Sequence, residues 1–330
     1  MSSGGPSNNS NGNGNSLKLY YHPMSFYSQR VLMALYEKRV PFKSQVVSLL
    51  TKEQYKPWFL RLNPRAEVPV LTDGVKVIPD SVRIVEYLED NFSNGQFGQL
   101  TPREKGSEES RKIQAFRECF EGLPVGAMTY GTAGNPHLWD NPKFPFTPTL
   151  FKQMAEMAKT RPSMIRGYAQ SNPEFQETLR EKALEAQDGD QNLHKTAEEM
   201  DDVLGRFDAA LGRAEEELAT HTGEHTHWWL CGELFSIADI DLAILLNHLY
   251  VLGHERRFWA EGKRPHLQAY WDRIQQRVSF QRSTHISLGG LQLARLHQAF
   301  KEHSGVLASV MAALGLAAIS YAVYRRVNKS

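Results

Sequence analysis

The chain has 330 residues, room for two domains of ordinary size and a substantial core. Hydrophobic residues make up 41% and charged residues 23%, which excludes wholesale disorder. The 38 basic and 37 acidic residues leave a net charge of +1, without the basic excess of a nucleic-acid binder. The mean hydropathy of −0.46 excludes a multi-span membrane protein but permits a single span. Two cysteines, Cys119 and Cys231, form no disulfide framework and fit a reducing compartment.

Residues 1–16 carry no charge and no large apolar side chain, so they are expected to be a disordered tail. No apolar signal-peptide core and no Arg-rich amphipathic presequence follows. Leu17–Tyr21 alternates as a strand, residues 28–39 read as a helix, and Ser44–Leu49 reads as a second strand. This βαβ unit forces two parallel strands. Residues 52–62 read as a short helix. Glu67–Thr72 and Val75–Ile78 then form a hairpin about Asp73-Gly74, and a helix begins at Pro79-Asp80-Ser81. Residues 17–92 are thus expected to be a four-stranded mixed sheet with helices packed on it.

Residues 93–106 read as an interdomain linker, and residues 107–282 as an all-helical domain. Within it a Pro/Gly-rich stretch, Gly131–Pro148, opens a long insertion over about 130–200. Residues 172–218 read as two solvated helices broken at Asp188-Gly189-Asp190, with a seam through Leu179, Leu184, Leu193, Met200, Leu204 and Leu211. Such a charged arm is a candidate surface for protein partners. Ser236 caps the next helix, with Asp239 at the capping-box position, and Leu242–Val251 is apolar nearly all round.

The segment Val306–Tyr324 contains nineteen uncharged residues. As a helix it would measure about 28 Å, close to the hydrocarbon thickness of a bilayer. So near the C-terminus, it is expected to insert after translation as a tail anchor in the lipid bilayer, leaving the bulk of the chain in the cytosol. Its Ala- and Gly-rich composition and basic tail suit the mitochondrial outer membrane or the peroxisome. Ser309, Ala313 and Ala317 lie four apart, a spacing that lets such helices approach closely, so a homodimer is one expectation. Upstream, residues 283–303 form an amphipathic segment that either packs on the helical domain or lies on the membrane.

One coherent chemical site emerges. A cis bond before Pro69 would leave the Val68 amide and carbonyl free to pair with an extended peptide. Ser81 and the free N–H groups of its helix suit a carboxylate, and the Asp80 carboxylate suits an ammonium. Alternatively, Asp80 or Ser81 is merely a helix cap. The His221, Glu224, His225 and His227 cluster lacks helical spacing because Gly223 interrupts it, so no metal site is expected. No phosphate-binding loop and no nucleophile elbow is present.

The run LKLYYHPMSFYSQRVLMALYEK, followed by WFLRLNPRAEVPVLTDGVKVIPDSVRIVEYLED, resembles the thioredoxin-like half of the glutathione S-transferase superfamily. FSIADIDLA resembles the capping motif of its helical half. WLCGELFSIADIDLA, GKRPHLQAYWDRI, the long insertion and the tail anchor resemble one branch, the ganglioside-induced differentiation-associated protein 1 family. The resemblance implies an α/β thioredoxin-like domain, an all-α domain and a C-terminal transmembrane helix. It also implies glutathione as ligand or co-substrate at Val68, Pro69, Asp80 and Ser81, with no resident cofactor. Ser25 would be the thiolate-stabilising donor, with Arg30 downstream and Tyr27, Ser28 and Tyr21 as rivals. No cysteine lies in this loop, so cysteine-based chemistry is not expected there. The resemblance further implies a tail-anchored regulator of mitochondrial fission, network shape and redox or calcium homeostasis, with an active glutathione transferase as the alternative.

Overall fold

The computed structural model describes residues 17–49, 51–93, 95–193 and 195–285, with the backbone alone for 188–193. The N-terminal tail, the amphipathic segment beyond residue 285 and the span at 306–324 lie outside the described residues. Among the described residues, no helix is long and apolar enough to cross a membrane.

Four strands form one sheet: β1 (Leu17–Tyr21), β2 (Lys43–Val46), β3 (Val70–Asp73) and β4 (Lys76–Pro79), in spatial order β2-β1-β3-β4. β1 and β2 run parallel because α1 (Phe26–Lys38) carries the chain back between them. Alternation in β1 puts Leu17 and Leu19 into the core, while Lys18 and Tyr20 take the other face. The hairpin turns at Gly74, whose φ of +57° lies in the left-handed region that glycine adopts freely. β3 begins one residue after Pro69, whose missing N–H leaves it outside the ladder. The expected 52–62 helix is instead a 3-10 turn at Glu53–Tyr55 and one turn, α2 (Pro57–Leu60), because Pro57 interrupts the run. α3 (Ser81–Asn91) closes the domain.

α1 shows no single apolar stripe, and Val31, Leu32, Met33, Ala34 and Leu35 are all buried. The helix is covered on more than one side, by α3, by α9 (Ile237–Leu252) and by α12 (Val278–Thr284). Three polar ties hold the two domains on this helix. Arg30 donates to Asp241 (2.8 Å) and Glu121 (2.7 Å), Glu37 pairs with Arg277 (2.7 Å), and Asn247 donates to Gln29 (3.3 Å). The 93–106 stretch is pinned near its middle, to both domains. Gly98 donates to the Lys38 carbonyl at 3.0 Å, and the Leu100 carbonyl accepts from Ile237 at 3.0 Å. A Cβ at Gly98 would lie 2.6 Å from the Glu37 carbonyl oxygen, so glycine is required there.

The helical domain continues through α4 (Glu108–Glu121) and α5 (Val125–Gly134), then the hairpin of α6 (Pro148–Ser171) and α7 (Gln176–Leu193), then α8 (Ala197–Ala219). The break expected at Asp188-Gly189-Asp190 is not there: α7 runs through it to Leu193. One glycine costs a helix only about 1 kcal/mol, which packing overrides. Nor are these helices solvated arms. Leu179, Ala183 and Ala186 of α7 pack with Ile165 and Ala169 of α6 on Tyr55, Leu60 and Ala66 of the sheet domain. Leu184 leaves the expected seam and is 61% exposed. α8 buries Met200, Leu204, Phe207 and Leu211 on one face. α10 (Glu255–Phe258) and α11 (Pro265–Ile274) complete the domain.

α9 starts as expected. The Asp239 carboxylate accepts from the Ser236 amide (2.8 Å), the Ser236 hydroxyl (2.7 Å), the Leu230 amide (2.8 Å) and the Tyr270 hydroxyl (3.1 Å). Every one of these groups is buried, so Asp239 is a structural knot of the helical domain.

Candidate functional site

The strand register assembles the site. Tyr20 of β1 sits opposite Val70 of β3, which sits opposite Pro79 of β4. The end of β1, the start of β3 and the end of β4 therefore share one end of the sheet. The Ser25 loop leaves β1 there, Val68-Pro69 enters β3 there, and Asp80-Ser81 leaves β4 there. Ser25, Val68 and Asp80, the first and last of them 55 positions apart, come to one end of the sheet because antiparallel pairing reverses β3 between two strands that end on the same side.

The β1–α1 turn is built from its own polar side chains. The Ser25 hydroxyl oxygen accepts from the Ser28 amide at 3.2 Å and caps α1. Its own proton has no acceptor among the described residues, so it is available to a ligand. His22 is 4% exposed, and its Nδ1 faces the Met24 amide at 3.3 Å. Burial pushes its pKa down to about 4, so the ring is neutral and accepts through Nδ1. The rivals to Ser25 separate by geometry. Ser28 is fully buried and accepts from the His22 amide at 3.3 Å, so it serves the turn. The Tyr21 phenol shares a hydrogen bond with Ser44 of β2 and is raised in pKa, mainly by burial. Tyr27 is 42% exposed. Its phenol is also raised, by burial first and then by the Glu121 carboxylate, so it remains a protonated donor at neutral pH.

The Val68–Pro69 bond is cis. Neither the Val68 amide nor its carbonyl has a hydrogen-bond partner among the described residues. The approach to Val68 is fixed by Asn63, whose side chain donates to the Glu67 carbonyl (2.9 Å) and accepts from the Arg65 amide (3.1 Å). That is the physical role of the Asn63-Pro64 pair. Glu67 is in turn held by Lys182 of α7 at 2.6 Å. Burial would raise the Glu67 carboxyl, but the ammonium outweighs it and keeps the group below its ordinary range. Nothing in the sequence joined Lys182 to this loop, because the contact spans 115 positions.

Asp80 caps α3: Oδ1 accepts from the Val82 amide (2.9 Å) and the Arg83 amide (3.1 Å). Its φ of +76° is a conformation that few non-glycine residues adopt. The cap reading of Asp80 is thus what the structure shows: Oδ1 caps α3 on an exposed residue. Ser81 is 2% exposed, and its hydroxyl has no partner among the described residues. Arg30 proves to be an interdomain anchor, locked between Asp241 and Glu121. The Asp241 half of that pair was missed in the sequence, although a carboxylate on an otherwise apolar helix is itself a signal of a buried cation. The His225 and Trp228 rings pack with centroids 3.9 Å apart at a tilt of 40°, and no cluster of His, Cys, Asp and Glu able to hold a metal occurs among the described residues.

Residues 19–96 match the glutathione S-transferase N-terminal domain family, and residues 154–277 match the glutathione S-transferase C-terminal domain family. A thioredoxin-like sheet with this loop set and a helical second domain defines a glutathione S-transferase-type protein. Human ganglioside-induced differentiation-associated protein 1-like 1 is 31% identical over 274 residues, covering 81% of this chain and 73% of that protein. The chain belongs to the ganglioside-induced differentiation-associated protein 1 branch of that superfamily. Glutathione S-transferase TCHQD of Arabidopsis thaliana is 29% identical, over 81% of this chain and 88% of its own. Among solved structures, the beta-etherase LigF of Sphingobium sp. superposes with a TM-score of 0.56 at 25% identity, over 81% of this chain and 98% of its own. A glutathione S-transferase of Methylobacillus flagellatus with glutathione bound superposes at 0.51 and 20% identity, over 82% and 100% of the two chains.

Proposed function

We propose that the protein binds glutathione, or a small acid of like shape, at the sheet end. We further propose that it works as a membrane-tethered regulator of mitochondrial network shape and of redox or calcium balance. The observation that carries the ligand reading is the meeting of an uncommitted Ser25 proton, an unpaired Val68 backbone and the Asp80-Ser81 turn at one place. Each group has a use in that reading. The outer oxygen of Asp80 takes the γ-glutamyl ammonium. The Ser81 hydroxyl and amide take the neighbouring carboxylate at the positive end of α3. The Val68 amide and carbonyl pair with the cysteinyl backbone as an added strand. Ser25 then donates to the sulfur at the positive end of α1, which favours thiolate over thiol.

The regulatory half rests on the uncharged segment 306–324 as an anchor in the mitochondrial outer membrane, or in the peroxisome, with the folded domains toward the cytosol. The small-residue spacing within it supports self-association. Partner proteins would meet the outer face of the α6–α7 hairpin, where Leu184 stands exposed among charges. The alternative, an active transferase conjugating glutathione to electrophiles, is favoured by one feature: the Ser25 hydroxyl is placed to donate while its oxygen caps the helix.

The thiol pKa of bound glutathione, followed by ultraviolet thiolate absorbance in the full chain, tests the ligand chemistry. It is expected to fall by at least about one unit and to return toward the free value in Ser25→Ala. An unshifted thiol, or a shift that survives Ser25→Ala, removes Ser25 from the role. Loss of residues 306–330 is expected to release the protein from mitochondria and abolish its effect on network shape; retained targeting would refute the anchor.

A further inference from the structure

A second cavity lies away from the Ser25 turn, between the loop after β2 and the α6 helix. It encloses about 160 Å³. At about 30 Å³ for each liquid water, that is room for roughly five waters or a ligand of about five or six heavy atoms. One side is polar and cationic, formed by Lys52 and Arg161 together with Tyr55 and Tyr130. The other side is apolar and soft, with Met154, Met157 and Met164 from α6.

The electrostatics are unbalanced. Arg161 donates to the Tyr130 hydroxyl at 3.2 Å and shares a hydrogen bond with the Tyr55 phenol, both neutral partners. Lys52 makes no ion pair among the described residues, and it stands close enough to Arg161 for the two like charges to repel. Nearby carboxylates are engaged elsewhere: Glu53 accepts from the Ser48 amide at 3.0 Å, Glu156 pairs with Lys159 at 2.9 Å, and Glu67 is held by Lys182. Burial and the Arg161 charge both push the Lys52 ammonium below its ordinary range. Two cations thus share one small cavity: among the described residues no acid acts on Lys52, and Arg161 feels only the Glu67 carboxylate, itself paired with Lys182, an arrangement that a further anion relieves. The Gln54 amide oxygen, in a residue 8% exposed that lines the same cavity, also has no partner among the described residues.

We propose that this cavity is a binding site for a small monocarboxylate with an apolar chain. The carboxylate lies between Lys52 and Arg161, and the chain lies along the α6 methionines. Inorganic anions satisfy the cations but leave the methionine wall empty, and neutral alcohols fill the wall but leave the cations unpaired. The site joins the β2-side loop to the α6–α7 hairpin, so occupancy would tie the insertion more tightly to the sheet domain.

Calorimetric titration of the purified full chain with butanoate, 1-butanol and phosphate tests this. Butanoate is expected to bind saturably at one site, with the other two at least tenfold weaker. Lys52→Gln is expected to weaken butanoate at least tenfold with an unchanged melting temperature, since Lys52 packs no core. Arg161→Gln is expected to abolish binding. It also removes the bridge to Tyr130, so Lys52→Gln decides the matter if Arg161→Gln fails to fold. Excess glutathione is expected not to displace butanoate, and Ser81→Ala is expected to leave butanoate binding intact. Absence of saturable binding, phosphate binding as tight as butanoate, unaltered binding in Lys52→Gln, or displacement by glutathione would each overturn the proposal.

Discussion

Arg30→Met should uncouple the two domains more than any other single change in α1. Arg30 and Asp241 are 5% and 4% exposed in their side chains and meet at 2.8 Å, while the second partner, Glu121, is 44% exposed. Burial pushes the Asp241 carboxyl up, and the Arg30 charge pulls it back. Removing one member of a buried pair leaves the other unpaired and costs about 3–5 kcal/mol. Arg117 stands 3.9 Å from the far Asp241 oxygen without a hydrogen bond and offsets part of that, so the low end, about 3 kcal/mol, is expected. At about 2.1 cal/mol/K of unfolding entropy per residue, for a chain of this size that is a fall of roughly 4–5 °C in melting temperature. Without Arg30 the Asp241 carboxyl prefers its protonated form when folded. The native state then holds a proton that the unfolded state releases, so the loss deepens from pH 5 to pH 8 by linkage (about 1.4 kcal/mol per pH unit at most). The assay is thermal unfolding of the full chain followed by circular dichroism across that range. Arg30→Met with Asp241→Leu should recover most of the loss, because packed apolar residues replace a buried pair at little cost. A loss below about 1 kcal/mol, or a double variant no better than the single, would refute the reasoning.

Three other outcomes follow from the same structure. His22, His248 and His254 are buried with pKa values pushed down to about 4, so the native state excludes protons that the unfolded chain accepts near its ordinary 6.5. Their stabilisation is complete above pH 6.5 and is lost as pH falls toward 4, at about 1.4 kcal/mol per pH unit for each ring. Stability measured against pH should slope less steeply in His248→Gln, whose side chain can still meet the Thr129 hydroxyl; an identical slope would contradict the assignment. Asp80→Asn should keep the α3 cap and the positive φ, leaving stability within about 0.5 kcal/mol while weakening glutathione at least tenfold. Asp80→Ala should lose about 1 kcal/mol or more on top of that, and equal melting temperatures for the two variants would undo the argument. Lys182→Ala should cost under about 1 kcal/mol, because Glu67 is 46% exposed, yet weaken glutathione several-fold by freeing the Val68 approach. Unchanged affinity would show that α7 plays no part in the site.

The sheet domain was legible because local chemistry and global fold agree there. The β1 alternation, the Asp73-Gly74 turn, the Val68-Pro69 step and the Asp80 cap each point to the same neighbours. The Ser236–Asp239 start of α9 was legible for the same reason. Long-range burial was not. Leu179, Ala183 and Ala186 form a narrow stripe of small residues that reads as solvated until Tyr55 and Leu60 are seen covering it. The missed continuity of α7 through Gly189 has the same origin, because packing of the hairpin outweighs a propensity cost of about 1 kcal/mol. Of the candidate site, Ser25, Val68, Asp80 and Ser81 are named by residue type and order, and the register brings their loops to one end of the sheet. The exclusion of Ser28, fully buried and spent on the His22 amide, and the reach of Lys182 to Glu67 required coordinates.

Titration of glutathione into the full chain, with Ser81→Ala alongside, tests the central claim most directly. The account predicts saturable one-to-one binding at or below millimolar glutathione, weakened at least tenfold in Ser81→Ala, as expected when a hydrogen bond to a charged group worth about 1.5–3 kcal/mol is lost. No binding at millimolar glutathione, or equal binding by the Ser81→Ala chain, would contradict the assignment of the sheet end as a glutathione site.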